Sequence, residues 1–147
     1  MRREETVDHH IKTAWHAIAR MYNQQASKYD ITTSIGFVLL NIHSEDGTPA
    51  TKIAPLMGLE ARSLTRMLKT MEEKKLIYRE PDPVDKRSVR IFLTDLGKKK
   101  KEVSRKTVLR FNDAVREEID AEKLAVFFDV LQNINQIIDR NNIYEKV

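Results

Sequence analysis

The chain has no cysteine among its 147 residues. That excludes thiol redox sensing and any thiolate metal site. No apolar run approaches the roughly 20 residues that cross a bilayer, and charges interrupt the first 25 residues where a signal peptide would keep an apolar core. A soluble, cytoplasmic protein is expected. The four glycines are scattered, so there is no glycine-rich phosphate loop; no nucleophile stands at helical spacing from a base, and no carboxylates cluster. Nothing therefore supports an enzyme, and no cofactor is expected. Internal repeats and low-complexity tracts are also missing. His9 and His16 lie two turns apart on one helical stretch, but with His10 and His43 they have only scattered carboxylates around them. Ordinary polar roles fit them better than metal binding.

What is present is a chain 41% apolar, large enough for one domain or one long-helix subunit but not for two independent cores. Its net charge of +4 hides a strong asymmetry. Residues 1–50 hold 5 basic and 6 acidic side chains, residues 51–110 hold 17 and 8, and residues 111–147 hold 4 and 8, giving balances of −1, +9 and −4. A field that attracts phosphate has to be local to the docking face, so a polyanion partner belongs at the middle segment.

The ends show helical periodicity. Val7, Ile11, Ala14, Ile18, Met21 and Ala26, with Trp15 and Tyr22 alongside, are spaced by three and four and make one stripe on a long helix. Leu96, Val103, Val108, Phe111 and Val115 make a second stripe. Leu124, Phe127, Phe128, Leu131, Ile134 and Ile138, extending to Asn141, make a third, with Asp120 as the cap between the two. Helices this long cannot bury their stripes on so small a middle segment, which points to a two-fold dimer with interleaved terminal helices.

The middle segment is more specific. Thr32 is placed to cap a helix over 33–43, with Ile35, Phe37 to Leu40 and Ile42 facing inward and Ser44 to Gly47 stopping it. Residues 50–69, ATKIAPLMGLEARSLTRMLK, meet the demands of a helix-turn-helix: Ala54 where the helices touch, Gly58 for a turn with positive φ, and Ile53, Met57, Leu59, Leu64 and Met67 as the lock. Leu64, Met67, Leu68 and Met71 share one face of its second helix. Ala61, Arg62, Thr65, Arg66 and Lys69 occupy the other, with Ser63 near the start, and these types contact base edges and phosphates in a major groove. Downstream, strand formers at 76–79 and 88–93 flank a polar loop with Pro81, Pro83, Asp85, Lys86 and Arg87, a β-hairpin with a basic tip. A carboxylate two residues before an arginine can hold the guanidinium in one orientation, so Asp85 is expected to aim Arg87 at a narrow minor groove. Arg90, in the second of these strand runs, is a further basic candidate for wing and backbone contacts. For Lys98 to Lys101 a solvated helix face is expected rather than phosphate contact.

This order of elements, with Asp85-x-Arg87 followed by Leu93-Thr94 and Gly97, resembles the MarR family of bacterial winged-helix regulators. The resemblance covers essentially the whole chain, and its specific part is residues 53–97. It implies a mainly α fold with a small β-hairpin wing, a winged helix-turn-helix lobe at 31–97, and a helical dimerisation lobe from 1–30 and 98–147. It also implies Arg87 in a minor groove, oriented by Asp85, and Arg79 on a phosphate. Two departures stand out. Lys75 occupies a position where the family commonly has glycine, and a left-handed residue with a Cβ there costs about 1 kcal/mol. Pro55 lies inside the first helix of the motif, where it is tolerable only near a helix start. Trp15, Tyr22, Phe37 and Phe111 either belong to the core or line a cavity for a small aromatic or lipophilic anion. The expected function is a homodimeric transcriptional repressor on double-stranded DNA released by such an effector, and the alternative is an effector-independent or architectural DNA binder.

Overall fold

The computed structural model describes residues 1–145. They fall into two compact units, residues 1–108 and the residues from Leu109 onward. In the first, a 3-10 turn at Arg3–Glu5 leads into α1 (Val7–Ser27), followed by α2 (Thr33–Leu40), β1 (Thr48–Pro49), α3 (Ala50–Met57), α4 (Ala61–Glu73), β2 (Ile77–Pro81), β3 (Val89–Leu93) and the first turns of α5 (Asp95–Glu118). The second holds the rest of α5 and α6 (Ala121–Asp139). Among the described residues no helix is long and apolar enough to cross a membrane.

Local chemistry explains most boundaries. Thr32 caps α2 as its spacing requires, its Oγ1 accepting the Ile35 amide at 3.2 Å. The helix ends at Leu40, three residues before the expected His43. Asn41 turns out of the helix and its Nδ2 donates to the Phe37 carbonyl at 2.8 Å, while the His43 imidazole Nδ1 accepts the amides of Glu45 (3.3 Å) and Asp46 (3.0 Å) to shape the turn that follows. Gly58 ends α3 at φ 64°, and the Leu59 amide closes back on the Ala54 carbonyl at 3.0 Å. Lys75 takes the same left-handed conformation after α4, at φ 61°, with the Leu76 amide bonded to the Met71 carbonyl at 2.9 Å. Pro55 is not near the start of α3 but is its sixth residue. The carbonyl it deprives of a partner belongs to exposed Thr51, where water can serve.

The sheet has three strands, in the order β1-β3-β2 and all antiparallel, where sequence pattern indicated only a hairpin. Thr48 pairs with Ile91 and Pro49 with Arg90. A two-residue strand containing proline carries no period to read. Ile77, Ile91 and Leu93 point to the buried face and join Ile35, Val38, Leu39 and Ile42 of the α2 segment, Ile53 of α3, and Leu64, Leu68 and Met71 of α4 in one apolar core. Phe37 and Leu40, expected inward, are only half-buried.

The junction of sheet and α5 is tightly built. The Thr94 hydroxyl donates to the Lys75 carbonyl at 2.7 Å and accepts the Gly97 amide at 3.0 Å, so one side chain caps α5 and closes the turn after α4. A Cβ on Gly97 would run into the Leu76 carbonyl, which is why the position takes glycine. Further along α5, Lys100 and Lys101 do not form the expected solvated face. Lys100 Nζ donates to the Tyr29 carbonyl beyond the end of α1 at 2.5 Å, and Lys101 Nζ donates to the Ile42 carbonyl at 2.6 Å and Ser44 Oγ at 3.0 Å. Two cations thus sit where helix dipoles and orphan carbonyls present negative potential. Burial pulls the Lys101 ammonium below the ordinary lysine range.

In the second unit Leu124 is buried and Leu131 and Ile134 are half-buried, but Phe127, Phe128 and Ile138 of the same stripe are exposed. Asp120 occupies the N-cap position of α6 without a side-chain capping bond. Asn141 belongs not to the stripe but to the helix end, at φ 51°.

Candidate nucleic-acid interface and effector cavity

The second helix of the motif, α4, is held by Leu64, Leu68 and Met71, which are buried, and by half-buried Met67. Its other face is open. Ala61, Arg62, Ser63, Thr65, Arg66 and Lys69 are all exposed, and Arg62, Arg66 and Lys69 fall at spacings of four and three along one stripe. The Thr65 hydroxyl donates to the Ala61 carbonyl at 2.9 Å, so what it turns outward is its methyl group and oxygen lone pairs.

At the wing the arrangement differs from the expected aiming of a guanidinium by a carboxylate. Asp85 Oδ1 accepts the Arg87 main-chain amide at 3.1 Å and Oδ2 accepts the Ser88 hydroxyl at 3.2 Å. Asp85 therefore fixes the backbone from which Arg87 projects, while the guanidinium itself has no hydrogen bond or ion pair to the described residues. Lys86 and Arg87 are exposed at the tip. Arg79 is also exposed, with Nε donating to Glu72 Oε2 at 2.9 Å. An exposed pair of this kind is worth little, so a phosphate could take Glu72's place at small cost. Arg90 is half-buried and engaged through two of its three nitrogens: Nε donates to Asp82 Oδ2 at 3.1 Å and Nη1 to the carbonyls of Asp46 (3.0 Å) and Gly47 (3.4 Å). Asp82 was not singled out by sequence reasoning. The only local signal was its place at the start of the hairpin loop, where aspartate commonly turns its carboxylate onto amides two and three residues ahead. Those amides, of Asp85 and Val84, followed by the Arg90 guanidinium, hold its carboxyl below the usual carboxylate range.

Three of the four aromatic candidates come together in the first unit. The Phe37 ring lies 6.1 Å from that of Trp15 and 6.0 Å from that of Tyr22. Trp15 and Phe37 line a cavity of about 380 Å³ with Ser34, Asn41, Leu56, Met57, Leu59 and Met67. That volume lies in the range of small-molecule sites, and the walls include residues of both helices of the motif. Tyr22 and Phe37 instead border a much smaller space of about 30 Å³ near Gly36 and Ser104. Burial raises the pKa of the Tyr22 phenol. Phe111 lies in the second unit, half-buried. His43 and His10 have structural partners, His10 Nε2 meeting the Glu4 carbonyl at 2.5 Å.

Comparison with known proteins matches residues 31–89 to the model of the MarR family. The HTH-type transcriptional regulator SarZ of Staphylococcus aureus strain USA300 is 28% identical over 131 residues, covering 86% of this chain and 82% of SarZ. Among solved structures, S. aureus MepR in complex with DNA superposes with a TM-score of 0.81 at 25% identity, over 89% of this chain and 97% of MepR. The transcriptional regulator PcaV from Streptomyces coelicolor, solved with its natural ligand, shares the fold with a TM-score of 0.79 at 20% identity, over 92% of this chain and 96% of PcaV.

Proposed function

The chain belongs to the MarR family of winged-helix transcriptional regulators that bind DNA, and on that premise we propose that it acts in the cytoplasm as a homodimeric repressor of an inverted-repeat operator. The observation that carries the reading is the open face of α4, where Arg62, Thr65, Arg66 and Lys69 are exposed while the opposite face is locked into the core. Side chains so placed on a rigid helix suit major-groove readout, and Arg87 and Lys86 on the wing add affinity through the minor groove. Arg79 meets a phosphate in place of Glu72, and Ala61 and Ser63 lie close to the backbone or a thymine methyl.

A second copy completes the molecule. Val7, Ile11 and Trp15 on α1, and Val126, Phe127, Phe128, Val130, Ile137 and Ile138 on α6, are exposed in the single chain. Apolar stripes of this extent on monomeric soluble proteins are rare and mark interfaces. The dimer should place its two α4 helices in successive major grooves about 10 bp apart centre to centre. Footprinting on operators selected from random duplexes, with light scattering at micromolar concentration, tests this. Protection of a single half-site, or a monomer in solution, refutes it.

DNA affinity is further set by a small molecule held in the cavity at Trp15 and Phe37, whose walls suit an aromatic or lipophilic ligand. PcaV, which shares the fold, was solved with its natural ligand. Met57, Leu59 and Met67 belong to the cavity wall and to the helix-turn-helix alike, so a ligand that moves them moves the reading head. A thermal-shift screen of aromatic carboxylates and other lipophilic anions, with a DNA-release assay on each hit, tests the reading; binders that leave the DNA complex intact would favour the effector-independent alternative.

A further inference from the structure

Asp82 is the one carboxylate buried among the described residues, 6% exposed on the side of a hairpin that is otherwise open to solvent. Its Oδ1 accepts the amides of Val84 (2.9 Å) and Asp85 (3.1 Å), and its own amide donates to the Ser88 carbonyl at 2.9 Å. The loop of the wing is thereby folded back on its base. Asp85 in turn holds the Arg87 amide, so the position of Arg87 is set by two carboxylates in series. Through Oδ2 the first of them is tied to Arg90, and Arg90 reaches 44 residues back to the carbonyls of the Asp46–Gly47 turn. That turn has little freedom: His43 Nδ1 accepts two of its amides, and Gly47, at φ 66°, packs against the Ile91 carbonyl and the Phe92 ring with no room for a side chain.

From this chain of contacts we infer that Asp82 and Arg90 are positioning residues for DNA binding, a brace that holds the wing tip on the end of the α2 segment so that Arg87 is presented in place. A two-stranded ribbon is marginal by itself, and a tip ordered before binding loses less freedom on the DNA. Arg90 acts through the tip and does not touch a phosphate. The inference rests on the proposed contact of Arg87 with DNA, and the experiment separates the two.

Five variants of the full chain are compared with wild type by binding to a labelled operator at several salt concentrations: Arg87→Ala, Asp82→Asn, Arg90→Lys, Arg90→Gln and the double variant Asp82→Asn/Arg87→Ala. Asp82→Asn removes a negative charge beside DNA and Arg90→Lys preserves the positive one, so plain electrostatics predicts unchanged or tighter binding for both. The brace predicts that each weakens binding about 3- to 10-fold, the factor for ordering one or two side chains. It also predicts that Asp82→Asn adds nothing in the Arg87→Ala background, that Arg90→Gln leaves the salt slope unchanged, and that the amides of Val84, Asp85 and Arg87 exchange faster in Asp82→Asn. Wild-type or tighter binding by Asp82→Asn and Arg90→Lys, with Arg87→Ala weakened, overturns the brace alone. A salt slope lowered by about one in Arg90→Gln makes Arg90 a phosphate contact and also overturns it. Wild-type affinity in Arg87→Ala removes the wing contact and the brace's role together. Thermal unfolding of each variant guards against global loss of fold, and Arg90→Lys, the mildest change, carries the test if Asp82→Asn does not fold.

Discussion

Replacing Lys75 by glycine should stabilise the protein although it removes a side chain and a charge. Residues of left-handed conformation follow four helices, Asp30 at φ 56°, Gly58 at 64°, Lys75 at 61° and Asn141 at 51°, in a chain with only four glycines. Aspartate and asparagine tolerate this region because their short polar side chains bond locally; lysine has no such relief, and a Cβ there costs roughly 1–2 kcal/mol. Against that, glycine gives the unfolded chain extra freedom worth about 0.4–1 kcal/mol. Nothing else is lost, because Lys75 is exposed and its one tertiary bond, from the Thr94 hydroxyl to its carbonyl at 2.7 Å, is made by the main chain. The difference of the two ranges is centred on a net gain of about 0.8 kcal/mol, which for a domain of this size raises Tm by about 2–3 °C. Urea unfolding at fixed protein concentration should show a higher midpoint at constant slope. Gly58→Ala supplies the mirror image: no atom lies within 4 Å of the added Cβ, so its expected loss of about 1 kcal/mol is backbone strain alone. If Gly58→Ala costs stability while Lys75→Gly is neutral or destabilising, strain at position 75 is not the governing term and the reasoning fails.

Asp85→Ala should weaken operator binding even though it deletes a negative charge from the tip, because the Arg87 amide and the Ser88 hydroxyl lose their acceptor, and combined with Arg87→Ala it should add little. Tighter binding by Asp85→Ala, or additive losses, would reduce the wing to a basic patch. Arg62→Ala, Thr65→Ala and Arg66→Ala should each relax preference at defined bases by about 1–3 kcal/mol; equal weakening on specific and random duplexes would make them phosphate clamps. Lys101→Met should cost about 1–3 kcal/mol by leaving the Ile42 carbonyl without its charged donor, whereas Lys98→Ala should stay within about 0.5 kcal/mol in the same denaturation assay. Comparable effects from both would restore the solvated-face reading.

Those residues also mark how far sequence carries. The helix-turn-helix was legible because every term that defines it is local: apolar spacing on α4, a small residue in α3, a glycine in the turn, a threonine one residue before α2. The left-handed residue after α4 came instead from the family resemblance, which commonly has glycine where this chain has Lys75. β1 escaped because two residues cannot show an alternation. The wing partners escaped for a different reason. Asp85 and Arg87 stand two residues apart and invite pairing, yet the guanidinium tied into the wing loop belongs to Arg90, whose partners lie 8 residues away at Asp82 and 44 residues away at Asp46. Distance along the chain hides such a contact, and so does composition, since an arginine that braces a loop and one that meets a phosphate are the same letter on the same basic segment. The +9 balance of residues 51–110 therefore points to the segment of the proposed docking face without saying which of its cations would form it. Lys100 and Lys101 contribute to that sum while neutralising helix ends. Exposure with the charge unspent separates Arg62, Arg66, Lys69, Lys86 and Arg87 from those two, and their place on the open face of α4 or at the wing tip separates them from the equally exposed Lys98 and Lys99, a placement that only the fold confers.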